Sequence, residues 1–170
     1  MERQWFDRKR HRQQALLTAV SKRTKHFNNK AAKVNMFSLL RFIYLRQKYR
    51  TVKIRVGRVW LNALVADTFA KSMIGLMFRE YLKQNECMLF IFNRPGRHSI
   101  WMKNMRFALD IMWLNQDKKV IEIIEDIPPC AGFNCETYGK SRESMYFIEA
   151  NSGFVKSNGI KKGMQVLIKI

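Results

Sequence analysis

The sequence predicts an α+β protein in which a basic helical segment, residues 1–50, precedes a β-rich domain, residues 51–170. All 8 Gly and all 3 Pro, the residues that punctuate turns, lie after residue 56. Apolar residues recur at helical spacing before residue 50 and alternate with a period of two after it. Residues 1–50 hold 14 Lys and Arg against 2 acids, net +12, while the rest of the chain adds only +7. With 170 residues, 47% of them apolar, the chain can bury a core, which excludes wholesale disorder.

Between Lys30 and Arg50, Met36, Phe37, Leu40, Ile43 and Tyr44 form one face and the cations fall largely elsewhere, the pattern of a basic amphipathic helix. Glu2 to Val20 shows only a partial stripe, interrupted by the basic run Arg8 to Arg12, and Ser21 to Asn29 breaks it. Val52, Ile54 and Val56, then Val59 and Leu61, alternate as strands around a turn at Gly57. Asp67 or Thr68 caps a short helix whose expected inner face is Phe69, Met73, Leu76 and Met77. Cys87 to Phe92 is a continuous apolar run, hence a buried strand, and Asn93 to Gly96 is expected to turn the chain. Leu109, Ile111 and Trp113 form a hairpin with Val120 to Ile124 across the polar turn Asn115 to Lys118, and Pro128 and Pro129 stop it. Two further strands, Met145 to Ile148 and Met164 to Ile170, flank a short helix expected to begin near Ala150 to Ser152 and to end at Gly159.

The best candidate for a membrane span, Met36 to Leu45, is ten residues long and contains Arg41, well short of the ~18 apolar residues a span needs. The amino terminus shows no apolar signal core, so a cytoplasmic location is expected, where Cys87, Cys130 and Cys135 default to free thiols.

In order along the chain stand Val65-Ala66-Asp67-Thr68, Gly75-Leu76-Met77, Met88-Leu89-Phe90-Ile91-Phe92, Pro95-Gly96, Trp101-Met102-Lys103-Asn104-Met105, Leu109-Asp110-Ile111, Pro128-Pro129-Cys130 and Cys135. This series resembles the family called domain of unknown function 192, over about residues 54–170. The resemblance implies a mainly antiparallel, partly barrel-like β fold with one or two short helices, and no established reaction. Many members of that family carry a signal sequence or a membrane anchor where this chain carries fifty residues rich in cations. This departure from the family pattern suggests that a partner is engaged through the segment.

Strand alternation would place Trp101 and Lys103 on one face, an aromatic platform beside a cation, with Asn104 and Asp110 near enough to hold a polar ligand. The competing reading puts Trp101 and Met102 in the core and lets Asn104 and Asp110 bond the backbone of the connection to the next strand. Cys130 and Cys135, spaced C-x4-C, could be a disulfide, metal ligands, a redox pair or two loop thiols. The metal and redox readings lack their partners, because the three His show no ligand spacing and the spacing is not C-x-x-C. Glu122, Glu125 and Asp126 read as the solvated face and end of a strand. No serine-nucleophile elbow, phosphate loop, dinucleotide fingerprint or H-E-x-x-H occurs, so no catalytic residue, metal or cofactor is expected.

The basic segment remains. Arg8, Lys9, Arg10, Arg12, Lys22, Arg23, Lys25, Lys30 and Lys33, interleaved with aromatics such as Trp5, Phe6 and Phe27, suit RNA phosphates with stacking on unpaired bases. The expected function is therefore non-enzymatic RNA or ribonucleoprotein binding, for example as a ribosome-associated component. The alternative is a membrane-surface protein whose amphipathic basic helix lies in an anionic leaflet and whose β domain binds a small ligand.

Overall fold

The computed structural model describes residues 47–132, 134–139 and 141–169. The helix expected from Glu2 to Val20, residues 30–46 of the one expected to run to Arg50, and the cations Arg8 through Lys33 assigned to RNA lie outside the described residues; residues 47–50 are described and are not helical.

The elements are β1 (Thr51–Val56), β2 (Val59–Ala66), α1 (Phe69–Ile74), β3 (Glu86–Gly96), β4 (Ile100–Trp101), β5 (Leu109–Leu114), β6 (Val120–Ile127), β7 (Thr137–Tyr138), β8 (Ser144–Asn151), α2 (Phe154–Ser157) and β9 (Val166–Lys169). Seven strands form one sheet in the order β6-β5-β8-β3-β2-β1-β9, and β4 pairs with β7 separately. Every pair in the large sheet is antiparallel except β2 with β3. That parallel pair requires a long crossover, which residues 67–85 supply together with α1. Opposite ends of the sheet meet: Val120 N donates to the Met164 carbonyl at 2.9 Å and Val166 N to the Lys118 carbonyl at 2.9 Å. The sheet thus curls into a half barrel, with two short helices attached.

Two apolar cores follow from the pleat. Cys87 and Leu89 of β3, Met112 and Leu114 of β5, and Ile148 and Ala150 of β8 enter the first, together with Val120 and Val166 from the converging ends. Met88 and Phe90, then Ile111 and Trp113, then Phe147 enter the second, which the crossover and the segment around Ile100 and Met102 cover. A strand buried on both faces reads as an unbroken apolar run, the pattern of Cys87 to Phe92 in β3; β5 is buried throughout and shows it except at Asp110.

Thr68 caps α1, its Oγ1 accepting from Lys71 N at 3.3 Å, and the helix stops at Gly75 with φ +51. Asp67 accepts from Lys71 Nζ at 2.8 Å and from Arg50 Nε at 3.1 Å, and the Lys71 contact above all holds its carboxyl below the usual range. The expected turn at Pro95-Gly96 is not found. β3 continues to Gly96 through a register shift between Ile91 and Gly96, where a proline with no N–H to donate is tolerated.

Gly139, with φ +87, lies so close to the fully buried Trp113 that a Cβ would overlap the indole. Gly139→Ala is therefore expected to lower stability by about 2–4 kcal/mol through overpacking and left-handed strain. The urea midpoint measures this, and a midpoint equal to wild type would contradict the packing described.

Candidate functional site

A cavity of about 520 Å³ opens between α1, the segment 97–101 and the strands β3 and β8. Its size is that of a small-molecule site. Phe69, Met73 and Trp101 line it and are 81%, 41% and 39% exposed. Phe69 and Met73 were expected to face inward. A six-residue helix is too short to bury a full stripe, and Ile74, Leu76 and Met77 anchor it instead.

The floor is aromatic. Phe90 stacks on Phe147 with ring centroids 4.1 Å apart, and Phe92 tilts against Phe147 at 5.7 Å. Glu149 lies two residues beyond Phe147 and so on the same face of β8, among these rings. It is only 7% exposed, and its Oε2 has no hydrogen-bond partner among the described residues. Burial pushes its carboxyl up to about 8. Gly75 leaves the floor open, since a Cβ there would lie 3.1 Å from Phe90 Cζ and 3.8 Å from Glu149 Oε2. Arg97 and His98 are the other ionisable groups lining the cavity. The His98 ring stacks on Phe92 at 3.4 Å, with Nε2 3.3 Å from the Arg94 carbonyl.

Of the four residues expected to share a ligand face, Trp101 alone lines the cavity. β4 ends at Trp101, so the alternation that would align Lys103 with it stops, and Lys103 is 7% exposed. Asn104 adopts φ +60 and serves the turn: its carbonyl accepts from Phe78 N at 3.0 Å and its Nδ2 lies 3.8 Å from Met77 Sδ. Asp110 alternates with Leu109 and Ile111 of the second core, faces the other way, and binds two backbone amides. Cys130 and Cys135 are joined as a disulfide with Cα atoms 5.8 Å apart, and Cys87 is a buried free thiol.

Sequence reasoning passed over Glu149. Its signal was an acid inside the apolar strand Phe147-Ile148-Glu149-Ala150, at a position whose parity matches the core residue Phe147.

A second surface combines charge with an aromatic. Arg55 of β1 pairs in register with Trp60 of β2, and Lys53 with Lys169 of β9. Arg55 and Lys169 lie 5.6 Å and 4.7 Å from the exposed Trp60 ring. Among the described residues no three His, Cys, Asp or Glu side chains gather in a way that could hold a metal ion. Nor is any helix among them long and apolar enough to cross a membrane.

Fold and cavity define a half-barrel domain with an apolar pocket and a basic, aromatic face. The chain belongs to the family DUF192, described as an uncharacterized ACR, whose model matches residues 35–168. It is 28% identical over 100 residues to a UPF0127 protein of Pyrococcus furiosus, a match spanning 58% of this chain and 78% of that protein. A crystal structure of a protein of unknown function from Novosphingobium aromaticivorans is similar with TM-score 0.63 and 29% identity, covering 70% of this chain and 84% of that one. A proposed transcription regulator from Sinorhizobium meliloti aligns with TM-score 0.65 over 72% of this chain and 97% of its own, at 23% identity, a likeness of fold alone.

Proposed function

We propose that this protein is a non-enzymatic RNA- or ribonucleoprotein-binding protein of the cytoplasm, held to RNA by its basic amino-terminal segment. The observation that carries the reading is charge: net +19 overall, with +12 in residues 1–50. Such a density repels itself unless a polyanion neutralises it. The face of β1, β2 and β9 adds support, because Lys53, Arg55 and Lys169 around Trp60 pair phosphate-binding cations with a ring on which a base can stack. Directly opposed like charges such as Lys53 and Lys169 weaken a sheet, a disadvantage that an anionic partner removes.

Deleting residues 1–33 is expected to abolish binding to cellular RNA while leaving the β domain folded, and Trp60→Ala is expected to weaken it several-fold. In the full chain, six phosphate contacts would give a slope of about −4 to −5 for log affinity against log salt. The Cys130–Cys135 disulfide involves none of the residues assigned to RNA, so binding should be the same with and without reducing agent. Unchanged affinity after the deletion would sink the reading. Binding to anionic vesicles but not to RNA would replace it with the membrane-surface alternative.

A further inference from the structure

We propose that the cavity between α1 and the strands β3 and β8 is a binding site for a small organic ammonium, its charged nitrogen at Glu149 and its apolar body against the aromatic walls. The site is independent of the RNA reading.

Two separate observations on the cavity lead there. The first is Glu149 itself, whose Oε2 is buried and without a partner among the described residues; Glu122 Oε2 shares that state but does not line the cavity. A buried acid left without a donor is unfavourable, and a ligand that brings the donor removes the deficit. The second is the wall: Phe90, Phe92, Phe147 and Trp101 line the same cavity as that acid, an aromatic lining suited to the apolar body of an organic cation. Carboxyl and rings together select against anions, for which both are repulsive, and favour an amine over an alcohol of the same shape. Gly75 keeps the approach to Phe90 and Glu149 clear.

Phe69 and Met73 give the occupant its shape. Both are apolar, exposed and at the mouth, so the ligand's body covers them when its nitrogen reaches the floor. Arg97 stands exposed at the same mouth and disfavours a second positive charge, so a monoamine fits better than a polyamine. Because burial holds Glu149 up to about 8, a charged amine displaces its proton, and binding tightens by up to tenfold per pH unit between pH 6 and 8. His98 and Arg97 are the other groups lining the cavity that could contribute to such a dependence, so His98→Gln is the control.

The test uses the full chain with phenethylamine, its neutral analogue 2-phenylethanol and the anion 3-phenylpropionate, followed by amide and indole N–H shifts. Phenethylamine is expected to shift Gly75 and the Trp101 indole and to bind at least tenfold tighter than the alcohol, with the anion weakest. Glu149→Gln should erase the preference of amine over alcohol, and Phe69→Ala, at an exposed position that cannot unfold the domain, should weaken the amine several-fold. Equal binding of amine and alcohol, a preference surviving in Glu149→Gln, or no shift at Gly75 and Trp101 with any of the three would each overturn the proposal. RNA affinity unchanged by Glu149→Gln keeps its fate separate from that of the basic segment.

Discussion

Replacing Asp110 by Ala is expected to lower the unfolding free energy by about 3–5 kcal/mol. Asp110 is fully buried, and each carboxylate oxygen accepts from a backbone amide: Oδ1 from Asp126 at 2.9 Å, Oδ2 from Val155 at 2.8 Å. Asp126 stands at φ +53 near the end of β6, and Val155 lies in the first turn of α2, so one side chain ties two elements to β5. Ser152 Oγ donates to Asp126 Oδ1 at 2.6 Å and completes the knot. Removing the carboxylate strands the buried Val155 N–H and the half-buried Asp126 N–H, which costs more than the loss of the bonds themselves. Asp110→Asn retains one acceptor but turns an NH2 toward the other amide, so it should fall between wild type and Ala. Urea unfolding of the three proteins gives the order, and an Ala variant within 1 kcal/mol of wild type would refute a structural role.

Asp110 also marks where sequence reasoning stops. Its partners lie 16 and 45 residues away, and no local pattern announces contacts that the curl of a sheet brings about. The same holds for closure of the half barrel, which depends on Lys118 and Val120 meeting residues 164–166. Local chemistry was legible. Thr68 is one of the two expected caps, the Asn115 to Lys118 turn joins β5 to β6, and Cys87 to Phe90 is fully covered as an apolar run demands. The expected pairing of Trp101 with Lys103 failed because alternation holds only while a strand lasts, and β4 lasts two residues. Glu149 was hidden by the opposite effect. Charge within an apolar strand reads as an edge or a solvent face, whereas β8 lies between β5 and β3 and is covered on both sides.

Glu149→Gln is expected to stabilise the protein at pH 8.5 by about 3–5 kcal/mol and to leave it little changed at pH 4.5. Burial raises the Glu149 carboxyl from its ordinary 4.5 to about 8, so the folded chain keeps a proton that the unfolded chain releases. Below pH 4.5 both states hold the proton and burial carries no ionic penalty. As pH rises from 4.5 to 8 the unfolded state binds fewer protons than the folded one, and stability falls by up to ~1.4 kcal/mol per pH unit. Above 8 the loss is complete and the curve is flat with respect to this group. Gln keeps the shape and removes the titration, so subtracting its unfolding free energies from those of wild type across pH 4 to 9 cancels every other ionisable group. A difference that grows between pH 4.5 and 8 is the signature of a buried, unpaired acid, and a difference constant with pH would show that Glu149 is solvated after all. The measurement also bears on function without a known ligand. An acid that lowers stability at neutral pH, and that one amide substitution would relieve, is what the proposed ammonium site requires. Adding phenethylamine should return stability to wild type at pH 8.5 and give Glu149→Gln nothing comparable, because pairing the carboxylate removes the penalty that the variant never carried.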